Sequence, residues 1–192
     1  MAISGRTNFT ASKLKWVKEN EPELYKMADK LMLPGDYIAF RFSNVINTTI
    51  SGLSEGILWD FKEDAVADLL LEHYGIPKSF IPDIVDTFGL QSKVDAKGAQ
   101  ESGLAVGTPI LYRAGDQPNN ALALNVFNPG EVAATGGTSG VVYAVTDSLS
   151  GKESTRVNNF AHVNYSKQNP RVGKLLNING AGIQYRWLLN NL

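Results

Sequence analysis

The stretch Tyr112–Val145, YRAGDQPNNALALNVFNPGEVAATGGTSGVVYAV, holds the residue types that phosphoryl transfer to a hydroxyl requires. Asp116 sits in a Gly/Asn-rich turn after an apolar strand pattern over Thr108–Arg113. A carboxylate at the carboxyl end of a strand can take the proton of an attacking hydroxyl; the same acid can instead cap the helix that follows. Downstream, Gly136-Gly137-Thr138-Ser139-Gly140 joins two strand patterns. Glycines let successive backbone N–H groups converge on an anion, and hydroxyls add donors, although an ordinary hairpin turn has the same composition. The Lys of a Walker loop is missing. A third element, Asn179-Gly180-Ala181-Gly182-Ile183-Gln184, is a glycine-rich turn opening a helix. Backbone can approach a nucleotide closely there, at an electropositive helix start. His73 and His162 read as structural, the first on an amphipathic helix and the second between strand neighbours. No His/Asp/Glu set has metal-ligand spacing, so no metal-binding residue is assigned.

The elements that must position these groups follow from periodicity and punctuation. Thr10–Lys18 reads as a helix with its cap at Thr10. Pro22 opens a second, with Leu24, Met27, Ala28 and Leu31 on one face. Asp36 reads as the cap of a helix over 37–42. Asn47–Leu58, rich in Thr, Ser and Gly, reads as irregular or strand-like. Asp64–Tyr74 is an amphipathic helix stopped by Gly75 and Pro77, and Ile81–Gly89 a short turn-bounded segment. Phe88–Val94 reads as a strand, Ala96–Gly103 as a helix and Ala121–Val126 as another. After the Asn128-Pro129-Gly130 turn come strands over 131–135, 141–145, 159–165 and 171–177. The last segment, Gly180–Leu192, is helical, with Ile183, Trp187 and Leu188 on one face and Tyr185-Arg186-Trp187 expected in core packing.

Composition narrows the function classes. The chain has 192 residues, 43% hydrophobic and 19% charged, enough for a packed core. A net charge of −1 gives no electrostatic footprint for nucleic acid or an anionic membrane. Cysteine is absent, which excludes disulfides and thiolate zinc sites and fits a reducing, cytoplasmic setting. No apolar run reaches the ~20 residues of a membrane span, and the first residues lack the apolar core of a signal peptide. The sequons at Asn8, Asn47 and Asn164 are therefore read as incidental.

The three glycine-bearing elements, in this order, resemble the FGGY family of carbohydrate kinases, and its xylulokinase branch in particular. Gly115-Asp116-Gln117 matches the turn that bears the family's acid, Gly-Thr-Ser-Gly its phosphate turn, and Gly180 with Gln184 its nucleotide-side helix. Asn8-Phe9-Thr10-Ala11-Ser12-Lys13-Leu14-Lys15-Trp16, Glu21-Pro22-Glu23 and Leu33-Pro34-Gly35-Asp36-Tyr37 look like the run that precedes the acid. Departures fall at Ser12 (Pro is usual), Gly35 (Lys or Arg), Arg113 (a small residue) and Thr48–Asp60, which replaces Thr-Asp-x-Ser-x-Ala.

The resemblance implies an α/β, ribonuclease-H-like fold of the actin/hexokinase type. It makes 1–127 the C-terminal part of a first, sugar-binding domain and 128–192 the N-terminal part of a second, nucleotide-binding one. It casts Asp116 as catalytic base, Gln117 and Asn120 as sugar ligands, with Asn119 a further amide. Gly137 and Thr138 would then meet the phosphates, and Gly180 and Gln184 the rest of the nucleotide. It implies ATP with Mg²⁺, the metal carried by phosphates and water, and phosphorylation of a pentulose, D-xylulose to D-xylulose 5-phosphate. A homodimer is compatible with it. The family's first phosphate loop and its Gln-Met-His-Gly sugar motif have no counterpart here, so the chain is expected to be an internal piece and a very poor kinase by itself. The rival expectations are a non-catalytic sugar- or nucleotide-sensing module of the same fold, and a kinase for another pentulose or polyol.

Overall fold

A computed structural model describes residues 9–149, 153 and 156–192. It consists of two compact units, the first ending at Gly115 and the second running from Asp116 to Leu192. In the second unit α7 (Asp116–Ala123) packs on β7 (Val132–Gly136).

The first unit interleaves short helices and strand pairs. α1 (Thr10–Asn20), α2 (Pro22–Lys26) and α3 (Pro34–Ser43) lead to β1 (Asn47–Thr49), α4 (Ile50–Glu55), β2 (Trp59–Asp60), β3 (Ala65–Val66) and α5 (Asp68–Tyr74). A single 3₁₀ turn at Lys78–Phe80 precedes β4 (Asp83–Val85), β5 (Phe88–Lys93), α6 (Ala96–Ser102) and β6 (Pro109–Tyr112). β1 pairs with β4 in parallel; β2 with β3 and β5 with β6 pair antiparallel.

Local chemistry explains most boundaries. Pro34 opens α3, and the Asp36 carboxylate accepts the Leu33 N–H at 3.2 Å, so Asp36 sits inside the first turn rather than at the cap. Asp95 caps α6 by accepting the Gly98 N–H at 2.7 Å, and Gly103 ends it at φ 77°. Thr49 caps α4 in the same way through the Gly52 N–H, which makes a helix of a segment that reads as irregular or strand-like. α1 is preceded by Phe9, with no side-chain cap at Thr10. α2 ends at Lys26 and leaves Leu24 and Met27 exposed. Leu31 has turned away to donate to the Phe80 carbonyl. α5 begins at Asp68 because residues 65–66 are drawn into the strand pair with 59–60. The core gathers Leu53, Leu58, Trp59, Ala67, Leu71 and Val94. α3 and α6 meet at Gly98, where any Cβ would overlap the Phe42 carbonyl.

The second unit is a four-stranded antiparallel sheet of β7, β8 (Gly140–Thr146), β10 (Val172–Ile178) and β9 (Val157–Ala161), in that spatial order, with α7 and α8 (Gly182–Asn191). Tyr143, Val145, Phe160, Val163 and Val172 are buried on it. The Tyr143 ring lies where a Cβ of Gly173 would be, so only glycine fits at 173. His162 is fully buried. Its Nε2–H donates to the Val126 carbonyl at 2.9 Å, which leaves Nδ1 to accept the Tyr143 hydroxyl at 3.0 Å. Burial pushes its pKa down, against the Val126 hydrogen bond and nearby Glu131. The Glu131 carboxylate accepts from the Asn128 side chain and from the Asn128 and Phe127 N–H groups, which lowers its pKa to about 2.

Three further expectations differ from the structure. α7 starts at Asp116, not Ala121. β9 ends at Ala161, because 162–165 form a turn closed by the Tyr165 N–H to His162 carbonyl bond of 3.0 Å. Tyr185 and Trp187 stand 65% and 63% exposed on α8 rather than in core packing.

Candidate functional site

The turn that carries Asp116 is shaped from upstream. β6 delivers the chain with Tyr112 stacked on Phe88, ring centroids 5.0 Å apart. Arg113 then turns inward. Its Nη2 donates to the Asn47 carbonyl at 3.2 Å and to the Asn47 side-chain oxygen, and its Nε lies 3.3 Å from Asp36 Oδ1, off the hydrogen-bond direction. Asp36 also accepts the Thr48 hydroxyl at 2.9 Å, and the Asn47 amide donates to the Gln91 carbonyl at 2.8 Å. The ion pair is buried, the two side chains being 10% and 6% exposed. Burial raises the Asp36 pKa despite Thr48, Arg113 and the Leu33 N–H, and lowers that of Arg113 despite Asp36. Both shifts say that desolvation outweighs pairing here. Two residues on, the Gly115 N–H donates to Ser51 Oγ at 3.1 Å, and a Cβ on Gly115 would stand 2.5 Å from the Glu55 carboxylate. Gly115 is thus held by backbone and by the absence of a side chain.

α7 begins at the next residue. Asp116 is exposed at its first position, Gln117 is half-buried, Pro118 is buried, and Asn119 and Asn120 face solvent. Pro118 falls in the first turn, where no N–H is needed.

The Gly137–Ser139 turn links β7 to β8 and is exposed throughout. The Gly137 N–H closes it on the Ser139 carbonyl at 2.8 Å. Its outward carbonyls are taken up by α8: the Gly182 N–H donates to Gly137 O at 2.8 Å and the Ile183 N–H to Thr138 O at 3.2 Å. A Cβ on Gly182 would lie 2.5 Å from that Gly137 oxygen. Gln184 and Tyr185 both donate to Ala181 O, at 3.1 and 3.3 Å, so the first turn of α8 has used its backbone donors. The Gln184 side chain folds back to 3.9 Å from where a Gly180 Cβ would be. The second and third glycine elements are therefore one hydrogen-bonded assembly, which brings Gly137, Thr138, Gly180 and Gln184 together. Asp116, Gln117 and Asn120 share α7. Among the described residues, no group of three His, Asp or Glu side chains is placed to hold a metal ion, and no helix is long and apolar enough to cross a membrane.

Sequence reasoning missed the Asp36–Arg113–Asn47 network. It took Asp36 as a cap and Arg113 as a departure from a motif; a lone Arg two residues ahead of Gly-Asp, where small residues are usual, was the one available signal.

Residues 2–123 match the N-terminal domain of the FGGY family of carbohydrate kinases. The xylulose kinase of Escherichia coli K12 is 27% identical over 155 residues, covering 80% of this chain and 32% of that protein. The autoinducer-2 kinase of Yersinia enterocolitica is 30% identical over 126 residues, covering 66% of the chain and 24% of that protein. The chain thus spans about a third or less of the length of these relatives. Among solved structures, the Rhodospirillum rubrum xylulose kinase superposes with a TM-score of 0.84 at 23% identity, over 95% of this chain and 36% of that one. The Plasmodium falciparum glycerol kinase with ADP gives 0.87 at 20% identity, over 99% and 38%. At these identities the superpositions establish the fold, that of the corresponding part of a sugar kinase.

Proposed function

Because the chain belongs to the FGGY family of carbohydrate kinases, we propose that it supplies the base-bearing turn and the phosphate-holding turn of an ATP-dependent sugar kinase. The acceptor is a pentulose, D-xylulose, converted to D-xylulose 5-phosphate. Residues 1–127 would belong to the sugar-binding domain and 128–192 to the nucleotide-binding domain. The observation that carries this reading is the pairing of two prepared groups: an exposed carboxylate on a turn fixed by buried partners, and an exposed turn whose Thr138 and Ser139 N–H groups have no acceptor among the described residues. α7 touches β7, its successor in the chain.

In this reading Asp116 accepts the proton of the sugar hydroxyl as its oxygen meets the γ-phosphorus, and Gln117 and Asn120 orient the sugar through amide hydrogen bonds. Thr138, through its N–H and hydroxyl, and Ser139, through its N–H, hold phosphate oxygens, while Gly137, whose own N–H is closed on the Ser139 carbonyl, lets the ligand approach the backbone; such donors suit a polyanion. Gly180 and Gln184 lie against the remainder of the nucleotide. Mg²⁺ bound to ATP would neutralise developing phosphate charge and be carried by phosphates and water, with Asp116 reached through water.

The test is Asp116→Asn in an enzyme containing this chain at full family length. Loss of kcat by about 10²–10⁴-fold with unchanged sugar affinity is expected. Retention of most of the wild-type rate would overturn the base assignment and favour a sensing module. A panel of pentuloses and polyols then tests the substrate: a preference for a sugar other than D-xylulose corrects the acceptor and leaves the chemistry standing.

A further inference from the structure

We propose that Gly182 is a positioning residue for phosphate binding, through which α8 acts on the ligand at one remove, and that the donors are the Thr138 and Ser139 N–H groups. This rests on the kinase reading above. A helix start usually offers its own first-turn N–H groups to an anion. In α8 those of Gly182 and Ile183 are already committed to the Gly137 and Thr138 carbonyls, and that of Gln184 to Ala181.

A trans peptide sets its C=O and N–H antiparallel, and the described chain has no cis peptide bond. The peptide unit whose oxygen is Gly137 O carries the Thr138 N–H; the one whose oxygen is Thr138 O carries the Ser139 N–H. With both oxygens pulled toward α8, both N–H groups point the opposite way, off the exposed face of the turn. Neither finds an acceptor among the described residues. A hydrogen bond accepted at the carbonyl also polarises the N–H of the same unit. Two parallel, polarised donors make an anion-binding concavity, and the positive end of α8 reaches it through two peptide planes.

Only glycine at 182 permits this. A Cβ there would stand 2.5 Å from Gly137 O, a backbone atom that could move only by rotating the peptide and turning the Thr138 N–H with it. Gly35, in the first turn of α3, likewise has nothing within 4 Å of its Cβ position and serves as the control outside the turn.

The experiment is amide NMR on the ¹⁵N-labelled 192-residue chain, titrated with inorganic tripolyphosphate and Mg²⁺. In the wild type the Thr138 and Ser139 resonances should shift, while the Gly182 and Ile183 amides stay put and exchange slowly with solvent. Gly182→Ala should weaken tripolyphosphate binding on the order of ten- to a hundredfold, the loss of one or two charge-assisted hydrogen bonds. Gly35→Ala should not change it. Shifts at Gly182, Ile183 or Gln184 in place of Thr138 and Ser139 would overturn this inference alone and leave the kinase reading intact. So would unchanged affinity in a folded Gly182→Ala variant. Absence of any shift at millimolar ligand would overturn the phosphate-turn assignment together with it. Should Gly182→Ala fail to fold, the wild-type resonances decide the matter without it.

Discussion

Removing Arg113 isolates the energetic logic of the turn before Asp116. In Arg113→Met the stem is kept and the cation lost. The Asp36 carboxylate, 6% exposed, then has only the Thr48 hydroxyl and the Leu33 N–H. The carbonyl and side-chain oxygens of Asn47 lose their shared donor. Breaking one side of a buried pair costs about 3–5 kcal/mol, of which Asn47 accounts for about 1–2 kcal/mol as lost hydrogen bonds. The remainder is charge burial and must depend on pH. Asp36 already has a raised pKa in the native state because burial dominates. Its proton is therefore bound more readily in the folded than in the unfolded chain. Its contribution is fully present below the ordinary Asp value of about 3.9 and is lost as pH rises through the raised value. Without Arg113 that value rises further, so the Arg113→Met penalty should be largest near neutrality and shrink on acidification. Urea unfolding at about pH 7 and about pH 4 measures both parts. Asp36→Leu combined with Arg113→Met should recover most of the loss, since two apolar groups need no partners. A single-variant cost under about 1 kcal/mol, the range of an exposed ion pair, or one that does not change between the two pH values, would refute the reasoning.

Two further outcomes concern the second unit. The lowered pKa of His162 means the native state prefers it neutral. The stability it contributes is full above about pH 6.5 and lost as pH falls through the lowered value. Tyr143→Phe should cost about 1–3 kcal/mol by leaving Nδ1 unpaired, and thermal melts across pH 4 to 8 would show both effects. Gly173→Ala drives a methyl into the Tyr143 ring and should destabilise by at least about 1–3 kcal/mol; a melting temperature within about 2 °C of wild type would contradict the packing described.

How much could be read beforehand depended on whether the cause was local. β6 and β8 are apolar runs between turn residues, and their positions follow from that alone. The α6 boundary follows from Asp95 and Gly103, and the β7–β8 turn from its glycines. α4 escaped because Ser51, Gly52 and Ser54 are poor helix formers in isolation; the Thr49 cap and the burial of 51–54 override propensity. α2 was read too long because the spacing of Met27 and Leu31 is helical, yet Leu31 is claimed by Phe80. Helical spacing likewise put Ile183, Trp187 and Leu188 on one face without saying what lies against it. At the candidate site the acid and the glycines were visible as types. The reason Gly182 must be glycine was not, since the oxygen it accommodates belongs to Gly137, across the sheet's edge.

The cradle of the Asp116 turn has a consequence for biosynthesis. Arg113 lies 66 residues after the Asn47 it binds, and Gly115 lies 64 after Ser51. At about 5–20 residues per second, translation leaves roughly 3–13 s in which the upstream partners have emerged and the turn has not. Throughout that interval Asp36 lacks Arg113, its partner in the folded chain. The buried pair cannot close before residue 113 has left the ribosome, which makes the turn ahead of the acid a late contact of its unit.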